Sequence, residues 1–156
     1  MKRDIKLLLH NIRSVYNVGA IFRTADAVGV AKIYLTGYTP TPLDRFGNPR
    51  DDFAKSALGS EKTVAWEYIK SPNKLLPYMI ANRVQIISVE QSKKSIDYKK
   101  VKPKGDCLVV FGNEVSGVSK SILQKSEVIA EIPMRGKKES LNVSVSAGVV
   151  LFRWFD

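Results

Sequence analysis

Three groups of residues in this chain have types and spacings that could do chemistry. The first is the stretch Ile132–Leu151, IPMRGKKESLNVSVSAGVVL. It reads as a strand end, a basic loop at Arg135, Gly136, Lys137 and Lys138, and then a helix entered at Ser140, with Leu141, Val145, Val149 and Phe152 at helical spacing. Ser140 suits an N-cap. Asn142, Ser144 and Ser146, however, put small polar groups into the first two turns, where Ala, Leu or Glu would be more stabilising. A local rule broken inside a well-patterned element points to a site, the structural alternative being small residues that allow close packing. The second group is Arg23, which lies on an otherwise apolar and small face and must pair with a carboxylate, a phosphate or a partner chain. The third is Gly112, Asn113 and Glu114, which follow the most apolar run of the chain, Asp106–Gly112. In an α/β sheet, ligands collect at such carboxyl ends of strands.

The elements that position these groups alternate along the chain. Ile5–Leu9 is apolar without alternation, as in a strand buried on both faces of a parallel sheet. After the loop HNIRSVYN, a helix starts near Asn17 with Val18, Ile21, Phe22, Ala25 and Val28 at helical spacing. Gly29 stops it before the strand Lys32–Thr36. Asn17 can cap this helix, and Gly19 permits close approach of a backbone or a ligand. A turn-rich loop from Gly37 to Asn48 carries Arg45 and Phe46, a pair suited to a flexible loop that stacks on a base and touches phosphate. Further elements are expected at 51–58 (helix), 63–66 (strand), 72–80 (helix, Ser71 cap and Pro72 in the first position), 84–89 (strand), 119–126 (helix) and 128–134 (strand). The expected fold is a single α/β domain over residues 1–156, with a mostly parallel six-stranded sheet and helices on both faces.

Composition narrows the function classes. The charge of +10, from 25 Lys and Arg against 15 Asp and Glu, favours polyanionic partners, because neutralised phosphates release counterions. Lys93–Lys104, KKSIDYKKVKPK, holds six lysines and one acid and reads as a mobile or edge segment with its lysines in solvent. One cysteine, Cys107, can form neither an internal disulfide nor a multi-cysteine metal site and reads as a buried thiol. The single histidine, His10, closes a strand without acidic neighbours, so no metal site is expected. No apolar run is long enough to span a bilayer and the start lacks the pattern of a signal peptide, so a cytoplasmic location is expected.

Taken together, NVGAIFRTADAVG from Asn17, LVVFGNEVSGVS from Leu108 and IPMRGKKESLNVSVSAG from Ile132 resemble, in order and spacing, the three motifs of the SpoU, or TrmH, branch of the SPOUT RNA methyltransferases. The resemblance implies a C-terminal deep trefoil knot, S-adenosylmethionine as cofactor, and a homodimer with an active site built from both subunits. It implies methyl transfer to a ribose 2′-hydroxyl of RNA, with tRNA favoured and rRNA open. Carried over by position, Asn17, Arg23, Glu114, Ser140 and Asn142 are the implied catalytic residues. The implied cofactor residues are Phe111, Gly112, Asn113, Glu114, Gly117, Ile132, Met134, Gly136, Ser140 and Leu141. Glu114 would anchor its loop or bind Arg23 across the dimer, while Asn17 and Asn142 would orient Arg23 and the ribose. Two rivals share the fold: methylation of a base nitrogen, and a catalytically silent RNA-binding dimer.

Overall fold

Short apolar strands that can be buried on both faces dictate the architecture, and the computed structural model, which describes residues 2–156, is a seven-stranded sheet in the order β3-β2-β1-β6-β4-β7-β5. The strands are β1 (Ile5–His10), β2 (Lys32–Thr36), β3 (Ala65–Ile69), β4 (Gln85–Val89), β5 (Ile96–Asp97), β6 (Cys107–Phe111) and β7 (Val128–Glu131). Every pairing between them is parallel. The helices are α1 (Val15–Val28), α2 (Asp51–Ala57), α3 (Ser60–Thr63), α4 (Pro72–Ala81), α5 (Lys120–Lys125) and α6 (Val143–Phe155).

Alternation along the strands splits the core into two layers. Leu7, Leu9, Ile33, Leu35, Val109 and Phe111 face α1, α2 and α6, where Phe22 and Phe53 meet edge to face with centroids 5.1 Å apart. Leu8, Tyr34, Ile86, Leu108 and Val110 face α4 and α5, packing with Leu75, Leu76, Met79 and Ile122. Gly19 serves the first layer: a Cβ there would lie 1.8 Å from Ser56 Oγ and 3.0 Å from the Ala57 backbone nitrogen, so its close approach is to α2 and not to a ligand.

Several boundaries differ from the sequence expectation. The sheet has seven strands, not six, because the lysine-rich segment 93–104 contributes β5 as an edge strand beside β7. That segment is tied down: Val101 is buried, and Trp154 Nε1 of α6 donates to the Tyr98 carbonyl at 2.9 Å. Strand β3 begins at Ala65, because Thr63 closes α3 and donates its hydroxyl to Asp26 at 2.8 Å. The loop holding Arg45 and Phe46 is a closed turn, with Asp44 accepting from the backbone nitrogens of Phe46 and Asn48 and a bridge between Leu43 and Pro49. Arg45 lies over the Phe46 ring at 4.7 Å. Among the described residues no helix is long and apolar enough to cross a membrane, and no group of three His, Cys, Asp or Glu could hold a metal ion.

Candidate active site

The site begins with two helix caps, neither of them where the sequence reading put it. Ser14, not Asn17, caps α1, accepting from the Asn17 backbone nitrogen at 3.2 Å. This leaves the Asn17 side chain free in the first turn. Asn142, not Ser140, caps α6: its Oδ1 accepts from the backbone nitrogens of Ser144 at 2.8 Å and Val145 at 3.3 Å. Ser140 stands ahead of the helix on an exposed loop. Both Asn and Ser can cap a helix, so the choice between them falls to what else the side chain does.

Asn142 does a second thing. Its Nδ2 donates to Asn17 Oδ1 at 3.1 Å, and Asn17 Nδ2 donates in turn to Glu114 Oε2 at 3.3 Å. Glu114 also accepts from the backbone nitrogens of Arg13 at 2.9 Å and Ser14 at 3.0 Å, so it fastens the start of α1 to the loop after β6. Partial burial acts to raise the carboxyl pKa, but the hydrogen bonds from Arg13 and Ser14, with smaller help from its own N–H and Asn17, outweigh it and hold the carboxyl below its ordinary value. Three segments distant in sequence thus meet through one chain of side-chain hydrogen bonds.

The loop after β6 is built around Asn113. Its Oδ1 accepts from Val115 and Ser116, both at 2.9 Å, and its Nδ2 donates to the Asn11 carbonyl and to Tyr38 Oη, both at 2.9 Å. A reciprocal backbone pair joins Asn113 to Gly117. Only glycine fits at 112, where a Cβ would lie 2.4 Å from the Gly117 carbonyl oxygen, and Gly117 takes a φ of 73° that side chains resist.

These loops wall a cavity of about 770 Å³, within the range of small-molecule sites. Of the expected catalytic residues, Asn17, Glu114, Ser140 and Asn142 line it. Of the expected cofactor residues, Phe111, Gly112, Asn113, Gly117, Ile132, Met134 and Leu141 also line it, and Gly136 does not. Arg23 lies outside the cavity: it is exposed on α1, with no carboxylate in salt-bridge range among the described residues. Glu114 is engaged with α1 and its loop rather than with the Arg23 of its own chain.

Two lining residues that the sequence reading passed over are Glu90 and Gln91, just beyond β4. The signal that could have found them is their place at the carboxyl end of a buried strand. The cavity also suits a cationic ligand: Glu131 and Glu139 bring carboxylates that no protein group engages among the described residues, against one cation, Lys120, while those of Glu90 and Glu114 are taken up by loop hydrogen bonds. Residues 133–141 make no backbone-to-backbone hydrogen bond among the described residues, which leaves N–H and C=O groups available to a ligand.

Comparison with known proteins agrees in extent with this layout. Residues 4–152 match the family described as SpoU rRNA Methylase. The chain is 35% identical over 153 residues to the tRNA (guanosine(18)-2'-O)-methyltransferase of Aquifex aeolicus, covering 97% of this chain and 68% of that protein. It superposes on the crystal structure of the A. aeolicus TrmH/SpoU tRNA modifying enzyme with a TM-score of 0.84 at 30% identity, covering 97% of this chain and 74% of the other. On the AdoMet-bound rRNA methyltransferase from Sinorhizobium meliloti the TM-score is 0.86 at 25% identity, over 97% of this chain and 56% of that one.

Proposed function

Because this chain belongs to the SpoU rRNA methylase family, we propose that it transfers a methyl group from S-adenosylmethionine to a ribose 2′-hydroxyl of RNA, with tRNA as the favoured substrate. The observation that carries the reading is the Asn142–Asn17–Glu114 chain of hydrogen bonds, which joins all three motif segments at the wall of the cavity. The cavity fits the cofactor through its volume, its carboxylates and its unpaired backbone groups. Relatives described as acting on tRNA support that substrate; the S. meliloti neighbour, described as an rRNA enzyme, marks the alternative.

When bound, S-adenosylmethionine supplies an electrophilic methyl group and a neutral thioether leaving group. The protein must then align a hydroxyl in line with that group and help it lose a proton. Asn142 and Asn17 fix the ribose against the rim, held in their orientation by Glu114. A guanidinium is a permanent cation, so Arg23 acts by holding the adjacent phosphate and stabilising the developing alkoxide, with the phosphate positioned to accept the proton.

Arg23 reaches a cavity in the dimer rather than in its own chain. Tyr16, Ala20, Arg23 and Ala27 fall on one line of α1, Tyr16 being 63% exposed. On the neighbouring α6, Val145 is 50% exposed and Phe152 45%. An apolar stripe beside an unpaired arginine supports a symmetric pairing of these two helices that carries Arg23 to the partner's cavity. The strand order supports a knotted C-terminal segment: β6 inserts between β1 and β4, β7 is laid outside β4, and the chain returns to dock α6 on α1.

The test is incubation of the full chain with labelled S-adenosylmethionine and RNA from cells lacking the enzyme, followed by size fractionation and digestion to nucleosides. A labelled 2′-O-methyl nucleoside from the tRNA fraction is expected. Label in a base with an unmodified sugar would overturn the ribose reading, and bound cofactor without transfer to any RNA would return the chain to a silent binding dimer.

A further inference from the structure

Strand β4 lies between β6 and β7, so the residues just past its end sit between the two loops that wall the cavity. The Glu90 backbone nitrogen still belongs to the sheet, donating to the Ala130 carbonyl at 2.9 Å. Its side chain turns to the other loop: Oε2 accepts from the Val118 backbone nitrogen at 2.7 Å, while Oε1 accepts from the Gln91 backbone nitrogen at 2.7 Å. Gly117 makes this contact possible, since a Cβ at that position would lie 1.8 Å from Glu90 Oε2. The next residue reaches the opposite way. Gln91 Nε2 donates to the Glu139 carbonyl at 2.7 Å, and among the described residues this is the one hydrogen bond that ties residues 133–141 to the rest of the chain.

We propose that Glu90 and Gln91 are positioning residues that brace the two cofactor loops at a fixed separation, Glu90 holding the loop after β6 and Gln91 the loop before α6. The inference rests on the reading of the cavity as the S-adenosylmethionine site and names residues through which that site keeps its shape. The first loop is also held to α1 by Glu114 and within itself by Asn113 and the Asn113–Gly117 backbone pair, the second only by the Asn142 cap at its end. No hydrogen bond runs directly from one loop to the other among the described residues, so this dipeptide is the link between them. Affinity for any ligand filling the cavity therefore depends on it, because a site whose walls are not held by supporting hydrogen bonds must be ordered at each binding event.

The test is calorimetric titration of wild-type protein and of Glu90→Ala, Glu90→Gln and Gln91→Glu with S-adenosylmethionine and, separately, with S-adenosylhomocysteine. Methyl-transfer kinetics on RNA and thermal melting are measured alongside. Gln91→Glu keeps size and exposure while removing the donor to Glu139. Glu90→Ala and Gln91→Glu are expected to bind both ligands about tenfold more weakly, the effect of losing the one well-placed hydrogen bond that each side chain makes to its loop. The cofactor KM should rise by the same factor, with the RNA KM and the melting temperature near wild type, and Glu90→Gln, which keeps one acceptor, should fall between. Unchanged cofactor affinity in Gln91→Glu and Glu90→Ala would overturn the brace. So would a loss confined to S-adenosylmethionine, since that would make Glu90 a charge facing the sulfonium. Wild-type protein that binds neither ligand would overturn the cofactor site itself, and the brace with it, an outcome separate from binding that the substitutions leave untouched.

Discussion

Asn142 combines two roles in one side chain, and a conservative pair of substitutions separates them. Its Oδ1 caps α6 and its Nδ2 donates to Asn17. Asn142→Asp keeps an acceptor at the cap, and a carboxylate suits a helix N-terminus, but it removes the donor. Melting temperature should hold or rise slightly while methyl transfer falls at least tenfold; Asn142→Ala should lose both, with about 1 kcal/mol of stability. Equal activity in the Asp variant would take the link to Asn17 out of the mechanism. Glu114 gives a pH signature. Its folded carboxyl titrates below the unfolded one, so its stabilising contribution is complete above the unfolded pKa and is lost as pH falls through the lower folded value. Acid unfolding followed by circular dichroism should therefore begin at higher pH in Glu114→Gln than in wild type, with the two curves parallel near neutrality. The sequence made Asn17, Glu114 and Asn142 visible as a set through their motifs, but it misplaced both caps. Ser140 and Asn142 are equally good caps locally, and only the distant Asn17 decides between them.

At the scale of elements, the strands buried on both faces and the helix with Ser71 and Pro72 at its start were legible because burial and capping are written locally. Strand β5 was not, since its two residues are ordered by β7, more than thirty positions away, inside a run of lysines. Glu90 and Gln91 stayed unread for a similar reason: their partners, Val118 and Glu139, are chosen by strand order. The loop after β6 offers a direct check on how tightly its backbone is folded. Gly112→Ala would place a methyl group 2.4 Å from the Gly117 carbonyl oxygen. Denaturant unfolding should show a loss of about 1–3 kcal/mol, and cofactor binding should weaken with it. A variant as stable as wild type would mean that the loop relaxes freely.

For the whole molecule, the test of the proposal that two subunits share an active site is complementation. Arg23→Ala and Asn142→Ala are each expected to lose most turnover as pure proteins. If Arg23 serves the partner's cavity, dimers mixed by unfolding and refolding the two together contain one site with both residues intact, and part of the activity returns. If Arg23 serves its own chain, no site is complete and none returns. Light scattering should give twice the monomer mass, and a monomer at working concentration would refute the pairing of α1 and α6. RNA binding should weaken steeply with added salt, in keeping with the charge of +10. Cys107 reports on global integrity: it is fully buried, burial being the main cause that pushes its thiol up to about 11. At pH 8 a thiol reagent should label it only at the rate of unfolding.

Strand β1, made first, has one neighbour in β2 soon after it in the chain, but its other neighbour is β6, about a hundred residues later. During synthesis this interior strand therefore leaves the ribosome with one edge unpaired, and that edge stays open until Cys107–Phe111 has emerged. The cavity is completed later still, because its wall includes Asn142, Val143 and Ser146 at the start of the last helix. A nascent chain thus has no finished cavity until the start of α6 has emerged, and ligand-assisted folding can act only from that point on. Chains cut short before α6 should be cleared by proteases whatever the cofactor concentration in the cell.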